Sequence, residues 1–129
     1  MWTLGFIFGT TVAEIARRTH YMEGAPLSDE AVTSMIHTLT GRRIDYCRCH
    51  SLTEAHNFMA PIALHEFQRK VAVVYFAFAW MPHGGNVGHM IVAQAQANGL
   101  TFIDRDNHGQ SHAVAPPQHA ASYFVWRVI

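Results

Sequence analysis

Charge is scarce in this sequence, and neither sign is in excess. Aspartate, glutamate, lysine and arginine make up 14% of its 129 residues, and nine basic residues balance nine acidic ones. An average globular chain has roughly 25% charged residues. A neutral chain offers no basic surface to a nucleic acid or an anionic membrane, so we expect neither as a partner. Half of the residues are hydrophobic, which excludes a wholly disordered chain and favours a protein partner or a homo-oligomer.

Cysteine and long hydrophobic runs are also scarce. The two cysteines, Cys47 and Cys49, lie too close together for an ordinary disulfide between packed elements, and two are too few for a disulfide framework. They favour a reducing compartment or thiols with another role, and we expect the cytoplasm of the producing cell. The longest apolar run, residues 71–82, covers about twelve residues and is too short to span a bilayer. Residues 1–13 lack the basic segment of a signal peptide, so we expect no cleavage; any export would need a dedicated secretion system.

No repeat, low-complexity tract or linker divides the chain, so the sequence predicts a single domain spanning residues 1–129. Helical patterns dominate residues 1–69, and β-branched and aromatic runs dominate residues 70–129. Helices followed by antiparallel strands indicate an α+β fold. Residues 42–50 are predicted as a loop or short strand, and residues 111–120 as a loop. The predicted helices are 2–19, 29–39 and 52–60, and about four strands are predicted, at 71–80, 89–96, 100–104 and 123–129.

The most informative segment is a hairpin around Asn98-Gly99, a dipeptide typical of two-residue turns. Centring the turn on this dipeptide and counting alternate residues places Asp104 and Asp106 on the same face as His89. In that register Asp104 lies about four residues from the position opposite His89, so a bulge or strong twist is needed to join them; Asp106 needs less adjustment. A histidine beside a carboxylate is the base and orienting group of nucleophilic catalysis, although such a pair is more often a structural hydrogen bond.

Gly88-His89 at the start of one strand, followed by Thr101-Phe102-Ile103-Asp104 on the next, resembles the C-terminal half of papain-fold cysteine peptidase domains of bacterial toxins and effectors. The resemblance covers about residues 28–110. It implies a papain-like fold in which His89 is the general base, Asp104 orients its ring, and Asp106 occupies a position that is often polar. It also implies thiol-dependent acyl transfer on a protein substrate, either peptide hydrolysis or glutamine deamidation or transglutamination. We expect no cofactor.

The resemblance is incomplete at the nucleophile. Papain-like enzymes carry the catalytic cysteine at the N-terminus of a long buried helix, often directly before a tryptophan, whereas here Met1 precedes Trp2. Three explanations remain open: the sequence begins after the cysteine, the domain is a pseudoenzyme that keeps the fold, or Cys47 or Cys49 supplies the thiol. A pseudoenzyme would serve as a binding module for a protein such as an immunity protein or a chaperone.

Three residues near His89 are candidates for substrate binding. Gly88 and His83 lie in the glycine-rich loop that precedes His89, and Trp80 ends the buried strand at the same loop. A cleft between the helical half and the sheet is the expected place for a substrate.

The segment Cys47-Arg48-Cys49-His50, with His56 further on, suggests another class of protein, a small metal-binding protein. Zinc sites usually separate paired cysteines by about two to four residues and add a second pair of ligands, so this spacing is tighter than usual. If the segment is extended, Cys47 and Cys49 share a face and His50 points away from it. We therefore assign no metal ligand, and most of the ten histidines are expected to be surface or structural residues.

Overall fold

The computed structural model describes residues 2–22, 27–84, 88–105 and 110–128. The prediction of an α+β fold is confirmed, but the sheet has six strands where the sequence predicts about four. The elements of the described ranges are α1 Trp2–Phe8, α2 Val12–Thr19, α3 Asp29–Thr40, β1 Tyr46–Cys49, α4 Leu52–Gln68, β2 Val74–Met81, β3 His89–Gln96, β4 Gly99–Arg105, β5 Ser111–Val114 and β6 Ser122–Arg127.

The sheet is antiparallel throughout, with the strand order β1-β6-β2-β3-β4-β5. The edges of the sheet are β1 and β5, and each has only four residues. β1 lies in the segment predicted as a loop or short strand, whereas β5 lies where the sequence predicts a loop. Strands this short carry too little alternation for a pattern to reveal them. β1 pairs with β6 although it lies within the helical half of the sequence, so the predicted division near residue 70 is not strict.

Two hydrophobic layers cover the two faces of the sheet. Helix α4 packs on the front face, which we define as the face formed by side chains such as Phe76, Phe78 and Val125. Helices α1, α2 and α3 pack on the back face, where Ala77 and Trp126 project. Burying an aromatic or branched side chain stabilises the fold by roughly 1.5–3 kcal/mol, so both layers contribute substantially.

The apolar run at residues 71–82 forms the central strand β2, as predicted, although its first residues precede the strand. Val74, Phe76, Ala77 and Phe78 are buried, which shows that both faces of this strand are covered. Among the described helices, none combines the length and the apolar character that crossing a membrane requires.

The predicted helix over residues 2–19 is two helices. Gly9 adopts φ +65°, a left-handed conformation that glycine takes easily, and α1 ends there. The side chain of Thr11 then accepts a hydrogen bond from the backbone N–H of Glu14 and caps the start of α2. A continuous apolar pattern concealed this break.

Helix α4 extends beyond the predicted stop at Pro61 and ends at Gln68. Proline removes only its own N–H bond and its ring is exposed here, so the cost is local. The buried side chains of Ala55, Met59 and Ala63 hold both halves of the helix against the front face. At its start, Ser51 accepts a hydrogen bond from the N–H of Glu54, as the capping pattern predicts.

Candidate functional site

His89 and Asp104 meet at one end of the front face. His89 begins β3 and Asp104 lies near the end of β4. The Nε2 atom of His89 is 2.8 Å from Oδ2 of Asp104. The histidine side chain is 52% exposed and the aspartate side chain 22%, so the pair is open to solvent and to a bound molecule.

The contact forms because the hairpin turns earlier than predicted. Gln96 faces Gly99, which makes Ala97 and Asn98 the turn residues rather than Asn98 and Gly99. Gly99 adopts φ +138°, which a residue with a side chain rarely takes, and it serves as the first residue of β4. This shift halves the offset between His89 and Asp104 to about two residues, a diagonal that side chains of this length can bridge without a bulge.

Trp80 forms a wall of the site. It faces His89 across the β2–β3 ladder, and their rings meet edge to face with 5.3 Å between centroids. Gly88 is required next to this contact, because a Cβ atom at this position would lie 2.6 Å from the carbonyl oxygen of Trp80. Gly88 therefore allows the chain to approach β2 closely just before His89. His83 is exposed in the turn after β2, and Asp106 lies outside the described residues.

His112 is a neighbour of this site that the sequence did not predict. It lies on β5 directly opposite Asp104 and therefore on the same face. We expected residues 111–120 to form a loop, which left His112 without a partner strand. The four residues of β5 carry too little alternation to predict this position from the sequence.

The structure does not bring Cys47 or Cys49 to His89. Cys49 faces Tyr123 on β6, and Tyr123 faces Trp80 on β2, so two strands lie between this thiol and His89. Neighbouring strands are about 4.8 Å apart, which separates the backbones of Cys49 and His89 by roughly 14 Å. Burial and the adjacent thiol of Cys47 raise the pKa of Cys49 to about 12, the reverse of thiol activation.

The first helix is also on the wrong side of the sheet for the predicted nucleophile position. Leu4 and Ile7 of α1 pack on the back face with Ala77 and Val92, whereas His89 projects from the front face. The helix that shares a face with His89 is α4. Helix α1 and the His89 side chain therefore lie on opposite faces of the sheet.

A cavity of about 420 Å³ lies on the front face, between α4 and the tip of the β3–β4 hairpin. Its lining is mostly apolar and includes Met59, Ala63, Phe67, Ala95 and Leu100, with His56 on its wall. A recess therefore lies between a helix and the sheet, but its lining is at the hairpin tip, at the other end of β3 from His89.

Within the described ranges, no group of three or more histidine, cysteine, aspartate or glutamate side chains is arranged to hold a metal ion. Cys47 and Cys49 do share a face, as the extended segment predicts, and their Sγ atoms are 3.4 Å apart.

Comparison of the sequence with protein-family models and with curated proteins finds no match to either.

Proposed function

We propose that His89 and Asp104 are the proton-transfer pair of a papain-like domain of the toxin or effector type, which acts on a protein substrate by thiol-dependent acyl transfer. The observation that carries the proposal is the 2.8 Å contact between His89 Nε2 and Asp104 Oδ2 at an open position on the sheet. A base and its orienting carboxylate need this arrangement.

In this proposal each member of the pair has a separate role. Since Nε2 of His89 meets the carboxylate, Nδ1 is the nitrogen that takes the proton of the attacking thiol and later returns it to the leaving group. Asp104 fixes the ring tautomer and stabilises the imidazolium that forms during the reaction. Trp80, edge-on to the imidazole, restricts the ring orientations from the neighbouring strand.

The attacking thiol in this proposal is neither Cys47 nor Cys49, because two strands separate Cys49 from His89. The pH dependence of alkylation by iodoacetamide, read at each cysteine by mass spectrometry, tests this assignment. We expect the two profiles to be the same in the wild type and in His89→Ala. A thiol that reacts at lower pH in the wild type than in the variant would identify it as the nucleophile instead.

The proton-transfer role is tested with an activated ester that needs neither a specific binding site nor a thiol, because His89 can activate water to hydrolyse it. We expect the chain to hydrolyse p-nitrophenyl acetate faster than buffer, and His89→Ala to lower that rate at least about tenfold. Asp104→Asn should lower it by an intermediate factor. His65→Ala is the matched control, since it removes an exposed imidazole on α4 that has no part in the site, and should leave the rate unchanged. Equal rates in the wild type and His89→Ala would refute the proposal.

The alternative is an inactive papain-fold domain that binds a protein partner. It is favoured by the separation of both described thiols from His89 and by the exposed apolar side chains of Leu64 and Val71. Equal ester hydrolysis in the wild type and in His89→Ala would favour this alternative, because a binding module does not need an active base.

A further inference from the structure

Two thiols lie in contact on an edge strand and take no part in the proposed proton transfer. Cys47 and Cys49 are two residues apart on β1, so both project from the front face, and their Sγ atoms are 3.4 Å apart. A two-residue step along a strand covers about 6.6 Å. This lies just inside the range of roughly 4.4–6.8 Å between Cα atoms that disulfides span.

The two thiols differ in their access to solvent. Cys47 is half-buried, whereas Cys49 is fully buried among the side chains of the front-face layer. An external reagent therefore reacts with Cys47 first, and Cys49 reacts only with the group that has become bound to Cys47. This is the asymmetry of a dithiol in which one cysteine attacks and the other completes the exchange.

The surroundings favour an uncharged product at this position. Cys49 is enclosed by apolar side chains, and Tyr123 on β6 and Glu54 on α4 are the titratable groups near it, with Cys47 beside it on β1. Burial, Cys47 and Glu54 all raise the pKa of Cys49. A disulfide carries no charge, so closing the bond avoids keeping an ionised thiol in this apolar layer.

The position of β1 leaves room for the movement that a bond requires. The two Sγ atoms, now 3.4 Å apart, must approach by roughly 1.4 Å to reach the S–S bond length. Within the described ranges β1 pairs only with β6, so this movement disturbs a single strand pairing. We propose that Cys47 and Cys49 form a thiol–disulfide exchange site that takes a low-molecular-weight disulfide and closes to an intrastrand disulfide.

The exchange balances with glutathione disulfide as the oxidant. The thiolate of Cys47 attacks one glutathione sulfur, the S–S bond of glutathione disulfide breaks, and one glutathione leaves and takes up a proton. Cys49 loses its proton to water and attacks Sγ of Cys47, which releases the second glutathione. The two cysteines are oxidised by two electrons, and one glutathione disulfide is reduced to two glutathione molecules.

Intact-mass spectrometry of the reduced chain in glutathione disulfide tests the proposal. We expect the wild type to lose two hydrogens, to keep no glutathione and to form no disulfide between chains. Cys49→Ser and Cys49→Ala should stop at one glutathione bound to Cys47. Cys47→Ser should stay unmodified, because its remaining thiol is buried. The release of the second glutathione should accelerate about tenfold per pH unit near neutral pH, since the attacking thiol titrates far above that range.

Two results would overturn the proposal. One is a wild type that retains glutathione on Cys47 as long as Cys49→Ser does. The other is a wild type that forms disulfide-linked dimers instead of an internal bond. Circular dichroism of each variant establishes that it is folded, and Cys49→Ala provides a second variant without a buried hydroxyl. The result does not depend on ester hydrolysis, so this site and the proton-transfer site succeed or fail separately.

Discussion

At the residue scale, His89 belongs to a surface site more than to the core. Its ring is about half exposed, and its hydrogen bond to Asp104 lies at the end of the sheet. Exposed pairs of this kind contribute little to folding, because water competes for both groups. The side chain can therefore be removed with the fold intact, which makes it suitable for functional tests.

We expect His89→Ala to lower the free energy of unfolding by less than about 1 kcal/mol. Tyr123→Phe is the contrasting variant, because the buried Tyr123 hydroxyl donates to the carbonyl of Pro117 at 2.6 Å and its loss should cost about 1–2 kcal/mol. Urea unfolding followed by tryptophan fluorescence measures both values. A cost above about 2 kcal/mol for His89→Ala would mean that the imidazole supports a buried network.

The sequence predicted that His89 and Asp104 lie on one face of the hairpin, but not the strand register that brings them into contact. Alternation along the strands placed both side chains on one face, and this holds in the structure. The requirement for Gly88 could not be predicted, because it arises from the carbonyl of Trp80 on another strand. His112 was missed for a similar reason, since its place opposite Asp104 depends on an edge strand of four residues.

At the scale of elements, α4 depends on tertiary packing for its continuity. It contains Pro61 in its interior, yet its buried side chains keep it continuous across the front face. The backbone N–H that proline lacks leaves the carbonyl of Asn57 without its usual helical partner.

We expect Pro61→Ala to raise the free energy of unfolding by about 1–3 kcal/mol. The restored N–H bond outweighs the added freedom of the unfolded chain, which costs about 0.4–1 kcal/mol. Ala60→Gly is the matched control: this neighbour is also exposed, and its substitution should cost about 1 kcal/mol. Urea unfolding followed by circular dichroism at 222 nm compares the three chains. A destabilised Pro61→Ala would show that the proline ring makes packing contacts that outweigh its missing bond.

The remaining differences between predicted and observed elements have three physical causes. At Pro61, tertiary packing keeps the helix continuous where the sequence predicts its end. At Gly9, the chain leaves the helix although the apolar pattern continues through α1 and α2. The turn at Ala97-Asn98 depends on the positive φ of Gly99 after the turn rather than within it. Asn-Gly identifies a hairpin well, but it does not specify which residue pair closes it.

At the scale of the whole molecule, one carboxylate ties the front helix to the sheet. Glu66 near the end of α4 accepts from Arg127 of β6 at 2.8 Å and lies 3.5 Å from Arg69. Its side chain is almost fully buried. Burial alone would raise the pKa of this carboxyl, but the two arginines outweigh it and hold the pKa below the ordinary value of 4.5.

The sign of this shift predicts how stability depends on pH. The ionised carboxylate stabilises the folded chain above pH 4.5, and that contribution is lost as pH falls through the lower folded pKa. We expect Glu66→Gln to have a lower Tm than the wild type at pH 7, and the two Tm values to converge as pH falls below 4.5. Differential scanning calorimetry across this range measures the convergence.

Glu14→Gln is the control for that pH series. Glu14 bonds Arg17 within a single exposed helical turn, so its removal should change Tm little at any pH. A Tm difference between Glu66→Gln and the wild type that stays constant from pH 7 to pH 3 would contradict the assignment of the ionised carboxylate as the stabilising form.

The four-residue edges of the sheet have a consequence for how copies of the chain behave at high concentration. A chain without net charge has little electrostatic repulsion between copies, and an exposed strand edge is a template for pairing with another chain. Here β1 and β5 each offer only four residues of unpaired backbone. The short edge strands thus limit aggregation, although the net charge gives little protection against it. We expect any homo-oligomer to associate through side-chain surfaces rather than by extending the sheet.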